Sequence, residues 1–333
     1  MKAVVMTGAG DPSVLQVVDQ EEPQLRHPTD IKVQLHAAGV NPVDTKLRQR
    51  GVFFEDALPA ILGCDGAGTV VETGEQTKRL KVGDRVWFCH GGLGREPGNY
   101  AEYTVLPVAI ARPLPDAIDF TTAAAGPLVL ITAWEALYDR ARLRSGQSVL
   151  IHAGAGGVGH VAIQLAKLAG ARVITTVSGD EKAEFVRQLG ADKVINYKKE
   201  NLVEAVMDLS KGYGVDVAFD TVGSAVFNQT LPAIAHYGQL VTLLDPGKEV
   251  DWSVARQRNL SISFELMLTP MLEDLPQARA HQGEILDRCA GYLHSEQLKL
   301  HVSKTLSLAD AEQAHQLIEQ GHTRGKIVLQ TGV

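Results

Sequence analysis

Residues 149–167 read VLIHAGAGGVGHVAIQLAK, an apolar run, a glycine-rich turn and a second apolar stretch with helical spacing. Gly154, Gly156 and Gly159 make a G-x-G-x-x-G pattern. A match of that kind is common by chance. Its place between a short buried strand and an amphipathic helix is what constrains the fold. Each glycine has its own expected task. Gly154 permits a tight turn, Gly156 lets the backbone approach a pyrophosphate, and Gly159 lets strand and helix pack closely. Gly157 and Val158 then open a helix whose free N–H groups and partial positive charge face the phosphates. The earlier TGAGDP, at residues 7–12, lacks a third glycine and is followed by proline, so it reads as a turn.

The rhythm around the motif supports the same conclusion. After SVLIHAG and its helix come the strand RVITTVS, a helix from about Glu181 to Leu189, and the strand KVINY. The helix NLVEAVMDLS follows, then VDVAFDTVG, a helix from about Ala225 to Ala235, GQLVTLL, and LSISFEL. Six strands alternating with helices predict an α/β Rossmann unit, a doubly wound parallel six-stranded sheet. The first third is different. KAVVM, IKVQLHAAGV, GAGTVVETG and DRVWFCH are short, valine-rich and bounded by Gly, Pro and Asp, which predicts a compact β-rich unit. The last seventy residues predict a helix near 276–294, a strand near 301–306, a helix opened by Ser307 and Asp310, and a final strand KIVLQ.

The second strand of the Rossmann unit ends at Ser178, where a site that prefers NAD places Asp or Glu for the ribose 2′-OH. A carboxylate there would repel a 2′-phosphate, whereas a hydroxyl donates to it. Lys182, four residues on, supplies a cation. These residues predict NADPH as the cofactor, with Asp180 and Glu181 capping the next helix.

Composition narrows the remaining classes. The chain has 333 residues, 45% of them hydrophobic, and a net charge of -7, a balance that disfavours nucleic acid as the main partner. Cys64, Cys89 and Cys289 are odd in number and widely spaced, which suits a reducing compartment rather than a disulfide framework. The start MKAVVMTGAGDP has too short an apolar run for a signal peptide, and no run approaches the ~18 residues of a membrane span. A soluble, cytoplasmic protein with no membrane contact is expected.

GVNPVDTKLR, LGCDGAGTVVETG, KVGDRVW, LITAWEAL, HAGAGGVGHVAIQLAK, LGADKVINY, FDTVG and RGKIVL occur in this order along the whole chain. Together they resemble the medium-chain dehydrogenase/reductase superfamily, and most closely its zinc-free quinone oxidoreductase branch, which includes zeta-crystallin. The resemblance implies a GroES-like domain built from both chain ends, residues 1–122 and 267–333, with the NADPH-binding Rossmann domain inserted at 123–266. It implies that Tyr197 joins Ser178 and Lys182 at the 2′-phosphate. It also implies that Asn41 and Thr132 lie near the nicotinamide, and that Val222, Leu244, Phe264 and Leu266 line the cofactor's path.

Zinc members of the superfamily carry a cysteine where this chain has Asn41 and a GHE turn where it has Gly63-Cys64-Asp65. Without three ligands in a fixed array no catalytic metal is expected, and Cys64 and Cys89 read as small buried hydrophobes. Without a Lewis acid, the suitable substrates are quinones and α,β-unsaturated carbonyl compounds, which accept hydride readily. Asn41 is the candidate donor to the developing enolate, and Lys46, where many relatives have tyrosine, is a speculative second catalytic residue. The alternatives are an enoyl-thioester reductase, a zinc-type alcohol dehydrogenase and a non-catalytic NADPH-binding protein. A homodimer paired through the edge strand LSISFEL is also expected.

Overall fold

The computed structural model describes residues 1–54 and 57–332. They form two compact units. One comprises Met1–Val129, Leu268–Glu296 and Leu300–Val333; the other comprises Leu130–Met267 with Gln297–Lys299.

In chain order the first segment contains β1 (Lys2–Met6), β2 (Leu15–Asp19), β3 (Asp30–Val40), α1 (Pro42–Arg50), β4 (Ala60–Ile61), β5 (Asp65–Thr73), β6 (Arg85–Cys89), β7 (Tyr103–Pro107), β8 (Arg112–Pro113), α2 (Phe120–Ala124) and α3 (Pro127–Trp134). The inserted segment continues with β9 (Ser148–Ile151), α4 (Gly157–Leu168), β10 (Arg172–Val177), α5 (Asp180–Gln188), β11 (Lys193–Asn196), α6 (Leu202–Leu209), β12 (Val215–Asp220), α7 (Ala225–Thr230), β13 (Ile234–Thr242), α8 (Trp252–Gln257) and β14 (Ser261–Phe264). The return segment adds α9 (Thr269–Leu272), α10 (Pro276–His294), β15 (Val302–Ser307), α11 (Ala311–Glu319) and β16 (Lys326–Gln330).

The β-rich unit has two sheets. One runs β2-β1-β4; the larger runs β15-β16-β3-β5-β6-β8, with β7 also on β3. The last strand of the chain is therefore internal to a sheet begun by the first forty residues. β3 alternates and bulges against β5, and its inward residues Ile31, Val33 and Leu35 meet Val70, Val86, Phe88 and Leu106 in one buried cluster. Asn41 ends β3 in extended conformation, and Pro42, whose missing N–H costs nothing at a helix start, opens α1.

The inserted unit holds a six-stranded sheet in the order β11-β10-β9-β12-β13-β14, and each neighbouring pair is parallel. The order reverses between β9 and β12, so the loops after these two strands flank the topological switch point. α4 was expected to bury one face, yet Val161, Ala162, Leu165, His160, Ile163 and Gln164 are all buried. The second face is covered by the returning segment: Gln164 donates to the Lys299 carbonyl at 2.9 Å and accepts from its N–H at 2.8 Å.

The helix expected at 225–235 is shorter. α7 ends at Thr230, a single 3-10 turn covers Leu231–Ala233, and β13 starts at Ile234. Pro232 has no N–H to continue the helical ladder, which accounts for the early stop. Ser307 also behaves differently: it opens a 3-10 turn, and its hydroxyl donates to the Asp310 carboxylate at 2.6 Å rather than capping a backbone N–H. Residues Glu135–Arg140 continue α3 as a π-helix, which no sequence signal marked.

Candidate functional site

The glycine turn follows β9 directly. The residue in left-handed conformation is Ala153, with φ 49°, and not Gly154. Gly154 is required for another reason: a Cβ there would stand 2.0 Å from Thr175 Oγ1. Thr175 is fully buried and donates to the Ile151 carbonyl at 2.7 Å, so it cannot withdraw cheaply. A Cβ on Gly159 would meet the Ala153 carbonyl oxygen at 2.3 Å and Gly154 Cα at 2.7 Å. Gly156 differs from both. It caps α4 in extended conformation, and its nearest obstacle is the Ala153 oxygen at 3.2 Å. The absence of a side chain at Gly156 and the free N–H groups of the first turn of α4, where Gly157 and Val158 lie, suit an anionic ligand such as a pyrophosphate.

At the end of β10, Ser178 and Lys182 are half-buried and Tyr197 is exposed. Tyr197 donates its N–H to the Val177 carbonyl at 3.2 Å, and Val177 pairs with Asn196, so β10 and β11 bring Ser178 and Tyr197 to adjacent strand ends. Lys182 lies in the first turn of α5. Asp180, the acid that would spoil a phosphate site, has its carboxylate 3.3 Å from Lys199 Nζ.

At or just beyond the carboxyl ends of β12, β13 and β14 lie Val222, Leu244, Phe264 and Leu266. Leu244 is half-buried, whereas Val222, Phe264 and Leu266 are 42%, 59% and 52% exposed. Apolar side chains left open at the carboxyl edge of a parallel sheet are informative, because that edge is where such sheets take ligands. Asp220 shapes this rim by accepting from the Val222 and Gly223 N–H groups, both at 2.9 Å. Glu265, which the sequence did not single out, is buried between the two exposed residues, its carboxylate 2.9 Å from Arg140 Nε. Thr132 is buried in α3.

The β-rich unit contains a separate polar cluster at the end of β3. Ile327 pairs with Val40 and Gly39 with Asp65, so the sheet register brings Asn41, Asp65 and Lys326 together. All three are buried. Asn41 Nδ2 donates to Asp65 at 2.9 Å, and Lys326 Nζ donates to Asn41 Oδ1, to the Val40 carbonyl at 3.1 Å and to Asp65 at 3.4 Å. Asp65 also accepts from the Leu128 N–H at 2.7 Å. Asp44 accepts from the Asn41 N–H at 2.8 Å and from the Tyr100 hydroxyl at 3.0 Å, and the Tyr100 oxygen lies 3.3 Å from His315 Nε2. Asn41, expected to donate to substrate, is thus fully buried with both ends of its amide engaged. It bridges Asp65 and Lys326. Lys46, one turn into α1, is exposed.

This donor set does not suit zinc. Asn41 is committed to protein partners, the Lys326 ammonium already fills the centre of the cluster, and among the described residues no three His, Cys, Asp or Glu side chains are grouped to hold a metal ion. Cys64 and Cys89 are both buried, and the hydrogen bond with Cys89, together with burial, pushes the Cys64 thiol well up.

Burial also sets the titration of Asp44 and His315 in this cluster and of His90, a buried histidine at the end of β6. It raises Asp44 to about 7 against the pull of the Asn41 N–H and Tyr100, and it depresses His315 and His90 to about 3. The signs are opposite. A neutral buried histidine supports the fold above its unfolded pKa, ~6.5, and that support is lost as pH falls toward 3. Buried Asp44, protonated in the fold, supports it at low pH and loses that support as pH rises through 7. His90→Asn is therefore expected to flatten the acid-side loss of stability by about 1.4 kcal/mol per pH unit between roughly pH 4 and 6. Asp44→Asn should shift the same slope the other way. Urea midpoints across this range check both, and equal slopes in wild type and both variants would refute the assignment.

Comparison with known proteins gives a consistent family. Residues 27–116 match the alcohol dehydrogenase GroES-like domain, and residues 189–329 match a family model described as zinc-binding dehydrogenase. The quinone oxidoreductase of Pseudomonas aeruginosa is 34% identical over 332 residues, covering 98% of this chain and 99% of the relative. The structure of Escherichia coli quinone oxidoreductase complexed with NADPH superposes with a TM-score of 0.89 at 30% identity, over 99% of this chain and 100% of the other. An NAD-dependent alcohol dehydrogenase superposes with a TM-score of 0.90 at 32% identity over the full length of both chains.

Proposed function

Because the chain belongs to the medium-chain dehydrogenase/reductase superfamily, in its quinone oxidoreductase branch, we propose that it is a zinc-independent, NADPH-dependent reductase of quinones or α,β-unsaturated carbonyl compounds. That it is an oxidoreductase of a nicotinamide-binding family follows from its relatives. The choice of NADPH is carried by the end of β10: a hydroxyl, Ser178, stands where a carboxylate would select NAD, with Lys182 and Tyr197 nearby and Asp180 paired at the surface with Lys199.

In this reading the Gly154–Gly159 turn and the first turn of α4, including Gly157 and Val158, hold the pyrophosphate. Ser178, Lys182 and Tyr197 hold the 2′-phosphate. Val222, Leu244, Phe264 and Leu266 cover the cofactor's apolar face, and Thr132 lies toward the nicotinamide end. The bound cofactor supplies hydride to an electron-poor carbon, and the protein supplies position and polarity. Asn41, with both ends of its amide engaged by Asp65 and Lys326, serves in this reading as a positioning residue and not as a direct donor to the enolate. The exposed edge of β14 supports a homodimer joined strand to strand.

The test is loss of reduced-nicotinamide absorbance with a quinone and an enone offered separately, with NADPH and NADH in parallel. Fast loss with NADPH and slow loss with NADH is expected. Lys182→Ala should raise the NADPH KM about tenfold, the effect of losing one charged phosphate contact, and leave the NADH KM nearly unchanged. Tight NADPH binding without turnover of either acceptor would instead favour a non-catalytic binding protein.

A further inference from the structure

Glu265 is buried between the open side chains of Phe264 and Leu266, and its carboxyl group meets a second buried carboxyl group, that of Glu135, in a hydrogen bond. Such a bond requires a proton on one of the two, because a pair of carboxylates at that range resists double ionisation. Arg140 completes the group as an ion pair with Glu265 at 2.9 Å. Burial pulls the Glu265 carboxyl up, the Glu135 bond and Arg140 hold it down, and the Asp139 charge raises it again. Glu135, Asp139 and Arg140 are the charged groups that act on it, and all three stand on the π-turn that continues α3. The turn itself makes the grouping possible. In an α-helix, residues five apart point about 140° away from each other. The wider i→i+5 bonding of a π-helix, seen in the Ala141 N–H donating to the Ala136 carbonyl at 3.0 Å, brings Glu135 and Arg140 to one side.

The opposite side of Glu265 is tied to the sheet. Its N–H donates to the Thr242 carbonyl at 3.0 Å, and the Thr242 hydroxyl lies 3.2 Å from the Asp220 carboxylate, which accepts from the Val222 and Gly223 N–H groups. The carboxyl pair therefore anchors a run of bonds through the ends of β14, β13 and β12, where the open apolar residues stand.

We propose that Glu135 and Glu265 share one proton and act as positioning residues for the nicotinamide cofactor, holding the Phe264–Leu266 rim in place only while that proton is present. The inference rests on the proposed cofactor site and adds its regulation. With the proton, the pair carries one negative charge, matched by Arg140. Without it, two carboxylates face one guanidinium in the interior, and the end of β14 is pushed away from the π-turn. A cofactor that covers the rim deepens the burial of the pair and favours its protonated form. Binding therefore takes up a proton, and by linkage affinity falls as pH rises above the ordinary glutamate value, ~4.3.

The experiment measures Kd for NADPH and NADH from about pH 5 to 9 in wild type, Glu135→Gln, Glu265→Gln and Arg140→Gln, with the carboxylic-acid infrared absorption of each cofactor-free protein recorded over the same range. NADH lacks the 2′-phosphate, whose own titration near pH ~6 is thereby separated. In wild type both Kd values are expected to rise about tenfold across the range. Each glutamine in place of a glutamate keeps a hydrogen bond and one negative charge but has no proton to lose. Kd should then stay near its low-pH value, and the acid band that wild type loses with rising pH should be missing. Arg140 is half-exposed, so Arg140→Gln leaves the interior filled. Removing its charge should move the rise in Kd to higher pH by about one unit, a shift that tests the pair even where a buried variant does not fold. The same pH dependence in all four proteins overturns the inference. An acid band that both glutamate variants lose, with no pH dependence of Kd in wild type, leaves the shared proton and sinks its coupling to the cofactor. Wild type that binds neither nucleotide at any pH sinks the cofactor reading itself, and the coupling with it.

Discussion

The Lys326→Ala variant is expected to unfold about 3–5 kcal/mol more easily than wild type at pH 7, because it strands the Asp65 carboxylate in the interior. Asp65 is 0% exposed and Lys326 is 2% exposed, so water does not replace the lost ammonium. Burial already pushes the Asp65 carboxyl up against the pull of Lys326 and Asn41, and without Lys326 it rises further. The deficit should therefore shrink as pH is lowered and Asp65 takes up a proton. Adding Asp65→Asn to Lys326→Met should recover much of the loss, since replacing both partners is far milder than removing one. Urea midpoints with an unchanged m-value make the measurement. A deficit below about 1 kcal/mol would mean that Asp65 is solvated and the pair is ornamental to the fold.

Gly159→Ala is expected to weaken nicotinamide-cofactor binding on the order of 100-fold and to cost about 1–3 kcal/mol of stability. Its new methyl would stand 2.3 Å from a backbone oxygen and 2.7 Å from Gly154 Cα, atoms that move only if the loop moves. Gly156→Ala separates the two effects. Its methyl meets a single oxygen at 3.2 Å in an extended conformation that alanine adopts freely, so stability should stay within about 0.5 kcal/mol. Loss of binding in Gly156→Ala without loss of stability would mark the space above Gly156 as the ligand's. Cofactor titration and thermal unfolding of both variants, run together, check the pair. Equal binding in Gly156→Ala and wild type would remove Gly156 from the site.

What the sequence disclosed was local. The strand, glycine turn and helix at 149–167 lie within twenty residues, and strand alternation with helices disclosed the parallel sheet around them. The roles within the turn were harder to see. The left-handed residue is Ala153, and Gly154 answers to Thr175, a residue on the next strand whose approach no local pattern records. Pro232 stops α7 early although the apolar pattern runs on through it. The Asn41–Asp65–Lys326 cluster was out of reach for a plainer reason. Its members sit 24 and 261 residues apart and meet only through the registers of β3 with β5 and with β16. Asn41 was singled out, but its partners belong to strands that read as ordinary.

The same register has a consequence for synthesis. Asp65 leaves the ribosome 261 residues before the lysine that neutralises it. At about 5–20 residues per second, a nascent chain carries that carboxylate without its counter-ion for tens of seconds. The sheet that buries Asp65 is incomplete in that interval, because the place on the far side of β3 belongs to β16, a strand still untranslated. The inserted unit, almost wholly contiguous from Leu130 to Met267, faces no such delay. The parallel sheet is thus available early in elongation, while the polar cluster assembles only once β16 has been made, with that strand as its latch.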